Sequence, residues 1–351
     1  MSLLINSGQI LCWMILNKLT SLCLILLFFN CDLPKRNALG ADNELLVVCS
    51  KDLQNEMRSV LSIIFSDTLF TPQPEPLYRL VFVEPNQYSK IKQNVNIVFG
   101  SIGTDLSDPG TKLVKSLLSK SQYEDSMHGA NQLILSKNVF AQDQLVLFIN
   151  GTTYSQIKNR AHEQASKILS YYETLYEKRQ KKHLFENARQ EDLEKRILQA
   201  YGWSMKIPWG YTILQEDQDR GIFWIGRDIP YRWFAIHWED GLVVSDSASA
   251  DQYFRNFTEE MLGSIQLNAY KFSSELEPFN DWTTWTYGGI WEHQEEAQGG
   301  PFKGYLFYDG ISNKTYAIFL LVFHPGNDKS LLLKQLDFMA HSFFVDENGY
   351  Y

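Results

Sequence analysis

Two rhythms of apolar residues run along the chain and set out its elements. Glu44 to Cys49 reads as a strand, and Leu53, Met57, Val60, Leu61 and Ile64 then recur at helical spacing. Three prolines in Thr71-Pro72-Gln73-Pro74-Glu75-Pro76 exclude helix and interior strand and require a loop. Tyr78 to Val83, Val95 to Phe99 and Gln144 to Ile149 are further expected strands, with one short helix in the polar stretch Gly103 to Met127. After Gly151, positions Ile157, Ala161, Ala165, Ile168, Tyr172 and Leu175 keep the i, i+3/i+4 spacing of a long amphipathic helix through Lys182. A second helical segment, His183 to Ala200, follows it.

Beyond Gly202 the pattern changes to strands: Ser204 to Ile207, Tyr211 to Leu214, Gly221 to Arg227 and Tyr231 to Trp238. A helix from Asp251 to Leu262 is expected to bury Tyr253, Phe254, Phe257 and Met261. Trp282 to Glu292 is another strand, and Gly304 to Tyr308 pairs with Thr315 to Phe323 through a turn at residues 309–314. Lys329 to Phe344 closes the chain as a helix with Leu332, Leu333, Leu336, Met339 and Phe343 inward. The expected fold class is α+β, two domains of mostly antiparallel sheet packed with helices, divided as 44–185 and 186–347.

The N-terminus has a different character. Lys18 precedes an apolar run, Leu19 to Phe29, which is too short to span a bilayer but has the length of a signal-peptide core. The run ends at Asn30-Cys31, where Cys31 resembles the lipidated cysteine of bacterial lipoproteins; the resemblance implies that residues 1–31 are a lipoprotein signal peptide with Cys31 as the acylated residue, carrying chains such as palmitate. Met1 to Trp13 lacks any charged side chain, and Met14 is the alternative start. Residues 32–43, polar with Lys35-Arg36 and Gly40, are expected to form a flexible tether. Cys12, Cys23 and Cys31 belong to the leader and Cys49 to a buried strand, which argues against disulfides.

The formal charge of -9 in 351 residues argues against a nucleic-acid partner, since phosphate binding needs concentrated Lys/Arg. The run Lys178-Arg179-Gln180-Lys181-Lys182 reads as a solvated helix end, where cations suit the C-terminal dipole. His162-Glu163 lacks the second histidine of a zinc-protease helix, because Ser166 occupies that position. Gly100-Ser101-Ile102-Gly103 is too short for a dinucleotide turn, and no Gly-x-Ser-x-Gly occurs.

Two constellations remain. Trp285, Tyr287, Trp291, Glu292, His293, Glu295 and Glu296 put carboxylates beside aromatic platforms, as glycoside cleavage requires. Trp224, Arg227, Asp228, Tyr231, Arg232, Trp233, His237, Trp238, Glu239 and Asp240 put arginines beside aromatics, a composition that favours anionic or planar partners. Trp233 and Trp238 have opposite parity on one strand, so at least one is expected in the core. The candidate ligand-binding residues are therefore Trp233, Trp238, Trp285, Trp291, Glu292 and His293, with no catalytic residue, metal ligand or cofactor site assigned.

At Pro72-Gln73-Pro74-Glu75-Pro76-Leu77, at Gly202-Trp203-Ser204-Met205-Lys206-Ile207-Pro208-Trp209-Gly210-Tyr211 and at Gly299-Gly300-Pro301-Phe302, the chain resembles a family of Bacteroidota envelope lipoproteins known as a domain of unknown function. From Gly202 onward it is also similar to PsbP-like domains, which implies a sandwich of antiparallel sheet and helices for the C-terminal half. The resemblance implies a lipid-anchored protein of the cell envelope, on the outer membrane or the periplasmic face, and transfers no catalytic residue. The expected role is a non-enzymatic binding or assembly factor, attached to the membrane through its N-terminal lipid and meeting an envelope protein or glycan. The alternative is an envelope glycan hydrolase using the carboxylates near Trp291.

Overall fold

The computed structural model describes residues 35–69, 74–186, 188–263 and 265–346. The expected leader, Met14 and Cys31 lie outside the described residues, as do residues 32–34 of the expected tether. Residues 35–43 are packed on the body: Asn37 bridges Gln142, Leu39 bridges Asn94, Ala38 is buried, and Asp42 accepts a 2.6 Å bond from Arg179. A tether is therefore excluded for that stretch.

The N-terminal half is built around Glu44–Val48 (β1). Gln54–Ile64 (α1) buries Met57, Val60, Leu61 and Ile64. The small ribbon Thr68–Leu69 (β2) and Glu75–Pro76 (β3) precedes Arg79–Val83 (β4). Tyr88–Ile91 (α2) leads to Asn96–Ile102 (β5), then Pro109–Leu117 (α3) and Lys120–Met127 (α4). Leu133–Lys137 (β6), Leu145–Gly151 (β7) and the 32-residue helix Tyr154–Phe185 (α5) complete it. The strand order is β4-β1-β5-β7-β6.

The expectation of a mostly antiparallel sheet needs correcting here. β1 runs parallel to β4 and β5, β5 runs parallel to β7, and among these five strands the antiparallel pair is β6 with β7. The physical reason is two-sided burial. α1 and α5 cover one face, around Val47, Val98 and Leu147, while α3 covers the other, around Val48, Phe99 and Phe148. Strands enclosed on both faces read as continuous apolar runs, which is the mark of a parallel sheet with helical crossovers. The stretch expected to hold one short helix holds two, α3 capped by Asp108 and α4 opened by the Ser119/Gln122 capping box.

The C-terminal half bears out the expected antiparallel sandwich. Glu191–Tyr201 (α6) and Trp203–Ser204 (β8) lead into Thr212–Asp217 (β9), Ile222–Asp228 (β10) and Tyr231–Asp240 (β11). Ser247–Met261 (α7) crosses to Ile265–Phe279 (β12), Trp282–His293 (β13), Gly299–Asp309 (β14) and Lys314–Phe323 (β15). Ser330–Ala340 (α8) and Phe344–Val345 (β16), paired with β8, end the described chain. Seven strands stand in the order β12-β13-β14-β15-β11-β10-β9, each neighbouring pair antiparallel.

Both faces of this sheet are covered, so alternate residues of one strand enter different cores. Phe234, Ile236 and Trp238 pack with Leu336 and Met339 of α8 and with Trp203, whereas Trp233 and Ala235 pack with Phe254 and Phe257 of α7. The contact with α7 is close: a Cβ at Gly304 would lie 2.0 Å from Phe254 Cζ, so only glycine lets the helix settle there.

The two halves meet through α8. Glu75 of β3 is buried and accepts from the Lys329 and Ser330 amides at 2.6 and 3.2 Å, and from Lys329 Nζ at 2.8 Å. Lys329, the N-cap residue of α8, makes no side-chain cap of its own, so a carboxylate from the other half performs the capping. Among the described residues no helix is long and apolar enough to cross a membrane.

Candidate functional site

The aromatic candidates serve mainly as core. Trp238 lies against Trp203 and Tyr201, and Trp291 is 1 % exposed, donating from Nε1 to the Val322 carbonyl at 3.2 Å. Trp233 and Trp285 are half-buried against the α7 core, Trp233 lying edge-on to Trp224 at 4.8 Å and stacked on Trp291 at 6.4 Å. The Gly299-Gly300 pair beside Trp291 has a steric origin, because a Cβ at Gly300 would sit 2.2 Å from the Val322 oxygen.

Of the candidate polar groups, Glu292 is exposed and accepts from Asn268 Nδ2 at 2.7 Å. The His293 ring turns inward on its own loop, where Nδ1 accepts from the Glu295 and Glu296 amides at 3.2 and 3.1 Å. Glu296 in turn accepts from Gln298 Nε2 at 2.5 Å. These residues make a solvent-exposed β13–β14 turn in which Glu292, His293 Nδ1 and Glu296 are each bound to a local partner.

The arginine-bearing end of the sheet is different. The short turn Ile229-Pro230 joins β10 to β11 and sets Arg227 directly across from Arg232. Residues opposed in this way project from the same face. That face is the α8 side, since Arg232 Nη1 donates to Gln335 Oε1 on α8 at 2.7 Å. Arg232 is 7 % exposed and its Nε has no hydrogen-bond partner. Among the described residues neither arginine has an ion-pair partner.

Burial lowers the Arg232 pKa; Tyr211 opposes that shift and neighbouring Arg227 adds to it, with no carboxylate contributing. The Tyr211 phenol, itself buried and raised mainly by burial, feels both guanidinium groups. The flanking surface is apolar and open: Ile229 is 87 % exposed and Trp209 69 %, while Tyr231, of the opposite parity, turns to the α7 side, where its ring meets Phe323. The Trp209-Gly210 turn lies over Arg227, where a Cβ at Gly210 would contact the guanidinium at 3.4 Å.

Behind the arginines runs a buried polar relay. Gln335 Nε2 donates to Gln180 Oε1 at 3.0 Å, and Gln180 Nε2 donates to Asp42, which also receives Arg179 Nε. The cationic run of α5, expected to be a solvated helix end, thus contributes Arg179 and Gln180 to the junction of the two halves, while Lys178 pairs with Asp143. This relay fixes the Gln335 amide so that its oxygen faces Arg232. Sequence reasoning singled out Arg227, Tyr231 and Arg232 but missed Tyr211, Gln335 and the exposed Trp209 and Ile229. The two-residue turn between the strands was the available signal, because turn length fixes register.

A second concavity has part of its charge bound internally. An open cleft of about 1400 Å³ between α5 and the C-terminal sheet is lined by Lys182, Lys206, Glu186 and Asp281. Its Arg189 is taken by Glu194, and its Asp309 by Trp282 Nε1 and the Ser312 amide. Among the described residues no group of three or more His, Cys, Asp or Glu is placed to hold a metal. Burial, followed by Glu84, Asp108 and Glu56, pushes the Cys49 thiol up to about 12, so it is protonated at neutral pH and unsuited to nucleophilic chemistry.

Both halves match families of unknown function. Residues 38–185 match the model described as Domain of unknown function (DUF8532), and residues 190–342 match Domain of unknown function (DUF4837). The expected resemblance to a family of unknown function is borne out, with two models meeting at the α5–α6 junction rather than one covering the whole. No curated protein matches the chain. Among solved structures, the chain is similar to the Ran-binding protein Mog1p of Saccharomyces cerevisiae at 15 % identity, over 42 % of this chain and 93 % of that one, with a TM-score of 0.31. A protein from Bacteroides thetaiotaomicron is similar at 15 % identity over 42 % of this chain and 46 % of its own, with a TM-score of 0.26. LpqN of Mycobacterium tuberculosis, described as involved in cell envelope biogenesis, is similar at 8 % identity over 41 % of this chain and 83 % of its own, with a TM-score of 0.28.

Proposed function

We propose that the chain is a lipid-anchored, non-enzymatic binding or assembly factor of the cell envelope, held to the membrane through Cys31, with its recognition face at the arginine-bearing end of the C-terminal sheet. The observation that carries the recognition face is the buried Arg232 opposite Arg227, neither with an ion-pair partner among the described residues, beside exposed Trp209 and Ile229. Tyr, Trp and Arg gathered at one place are the residues that dominate recognition hot spots. A buried cation lacking a counter-ion favours a partner that brings negative charge. The leader ending at Cys31 supports the anchor and the envelope location. Glu292, Glu295 and Glu296 lie on an exposed turn, so a cleft-bound carboxylate pair does not arise from them.

A photo-crosslinking amino acid placed at Ile229, compared with one at Ser121 on the exposed side of α4, tests the face in envelope preparations. Discrete adducts from position 229 and none from position 121 are expected. Equal adducts from both positions, or none from 229, remove the recognition face from this end of the sheet.

A further inference from the structure

We infer that Arg227, Arg232 and Tyr211 form a seat for an oxyanion, a phosphate or carboxylate group carried by the ligand or partner. The inference rests on the reading of this end of the sheet as the recognition face and names the chemistry that face receives.

Three observations converge. The hairpin register places two arginines directly across from one another on one face, and Arg227 disfavours the charged form of Arg232, an arrangement that repels unless a negative charge lies between or beside them. Arg232 is buried, yet its Nε–H is unpartnered and its hydrogen-bond partner is the neutral Gln335 amide at 2.7 Å. The Gln335 bond and the Tyr211 phenol offset only part of the desolvation cost of a guanidinium left in this state, and no ion pair among the described residues adds to them. Finally, the site is held in place rather than floppy. The Gln335–Gln180–Asp42 relay orients the amide against one edge of the Arg232 guanidinium, and the Trp209-Gly210 turn lies over Arg227.

Guanidinium groups are planar forks whose paired N–H donors match the two oxygens of a carboxylate or phosphate. Two of them side by side, with the Tyr211 phenol as a neutral donor, suit one oxyanion gripped from two sides. The exposed Ile229 and Trp209 would then meet the apolar or planar part of the molecule that bears it. A free inorganic ion would leave those two side chains uncovered, so the natural ligand combines an anionic group with an apolar body.

The test uses the purified protein with two probes, inorganic phosphate and acetate, at constant ionic strength against sodium chloride. Saturable binding by calorimetry, with a rise in thermal midpoint that chloride does not give, is expected for at least one probe, and the responding probe identifies the oxyanion class. Arg227→Gln is expected to weaken that binding at least tenfold. In chloride the same variant is expected to melt no lower than wild type, because it removes a like charge, so lost binding cannot be ascribed to unfolding. The inference is overturned if neither probe binds saturably, if chloride reproduces the shift, or if Arg227→Gln binds as wild type does. Failure here with adducts still formed from position 229 removes the oxyanion seat alone; failure of both removes the recognition face.

Discussion

Glu75→Ala is expected to destabilise the protein by about 3 kcal/mol, the range found when one member of a largely buried ion pair is removed. Glu75 and Lys329 side chains are 10 % and 12 % exposed. The carboxylate also accepts two backbone amides at the start of α8, so the variant leaves the Lys329 cation with the Asn327 carbonyl but no counter-charge and takes the acceptor from a helix N-terminus. Because α8 carries Leu333, Leu336 and Met339 into the C-terminal core and Gln335 to Arg232, the loss is felt well beyond the junction. Urea unfolding of Glu75→Ala, Lys329→Ala and the double variant gives the coupling. A coupling energy of about 1–3 kcal/mol is expected for groups in contact. Additive single effects would mean that the two halves are not joined by this pair.

Trp291→Ala is expected to cost about 4 kcal/mol, since removing a buried tryptophan loses transfer free energy and opens a cavity among Trp233, Phe323 and the Val322 carbonyl. Its effect on oxyanion binding is expected to be small, because Trp291 lies in the α7-side core while Arg227 and Arg232 project toward α8. Thermal unfolding and phosphate or acetate titration of the same variant separate the two roles. A variant that melts with wild type but fails to bind would return Trp291 to the recognition surface and contradict its assignment to the core.

Much of the fold was legible because its elements carry strong local signals. The helix from Tyr154 keeps its apolar rhythm for eight turns, and the β14–β15 hairpin follows from alternating residues around a polar turn. The N-terminal sheet direction was not legible in the same way. A run such as Leu45-Leu46-Val47-Val48 specifies burial on both faces, and parallel pairing follows only when the helical crossovers are counted as well. Strand β12 escaped notice because it is a sheet edge, exposed on much of both faces, so its alternation is faint.

The site followed the same physics. Tryptophans concentrated in one half of the chain invited a ligand reading, yet a sheet covered on both faces by helices needs large side chains on both parities, and Trp233 and Trp238 fill one core each. The arginine pair was visible as composition but not as geometry. What gives it meaning is the cross-strand register, the lack of an ion-pair partner among the described residues and the Gln335 amide more than one hundred positions later in the chain, none of which a linear pattern carries.

The anchor is the claim on which the functional account depends, and metabolic labelling with a fatty-acid probe tests it most directly. Wild type and Cys31→Ala are labelled in parallel and their membrane fractions separated. The account predicts a labelled, membrane-bound wild type and an unlabelled Cys31→Ala chain. An unlabelled wild type recovered in the soluble fraction would contradict it.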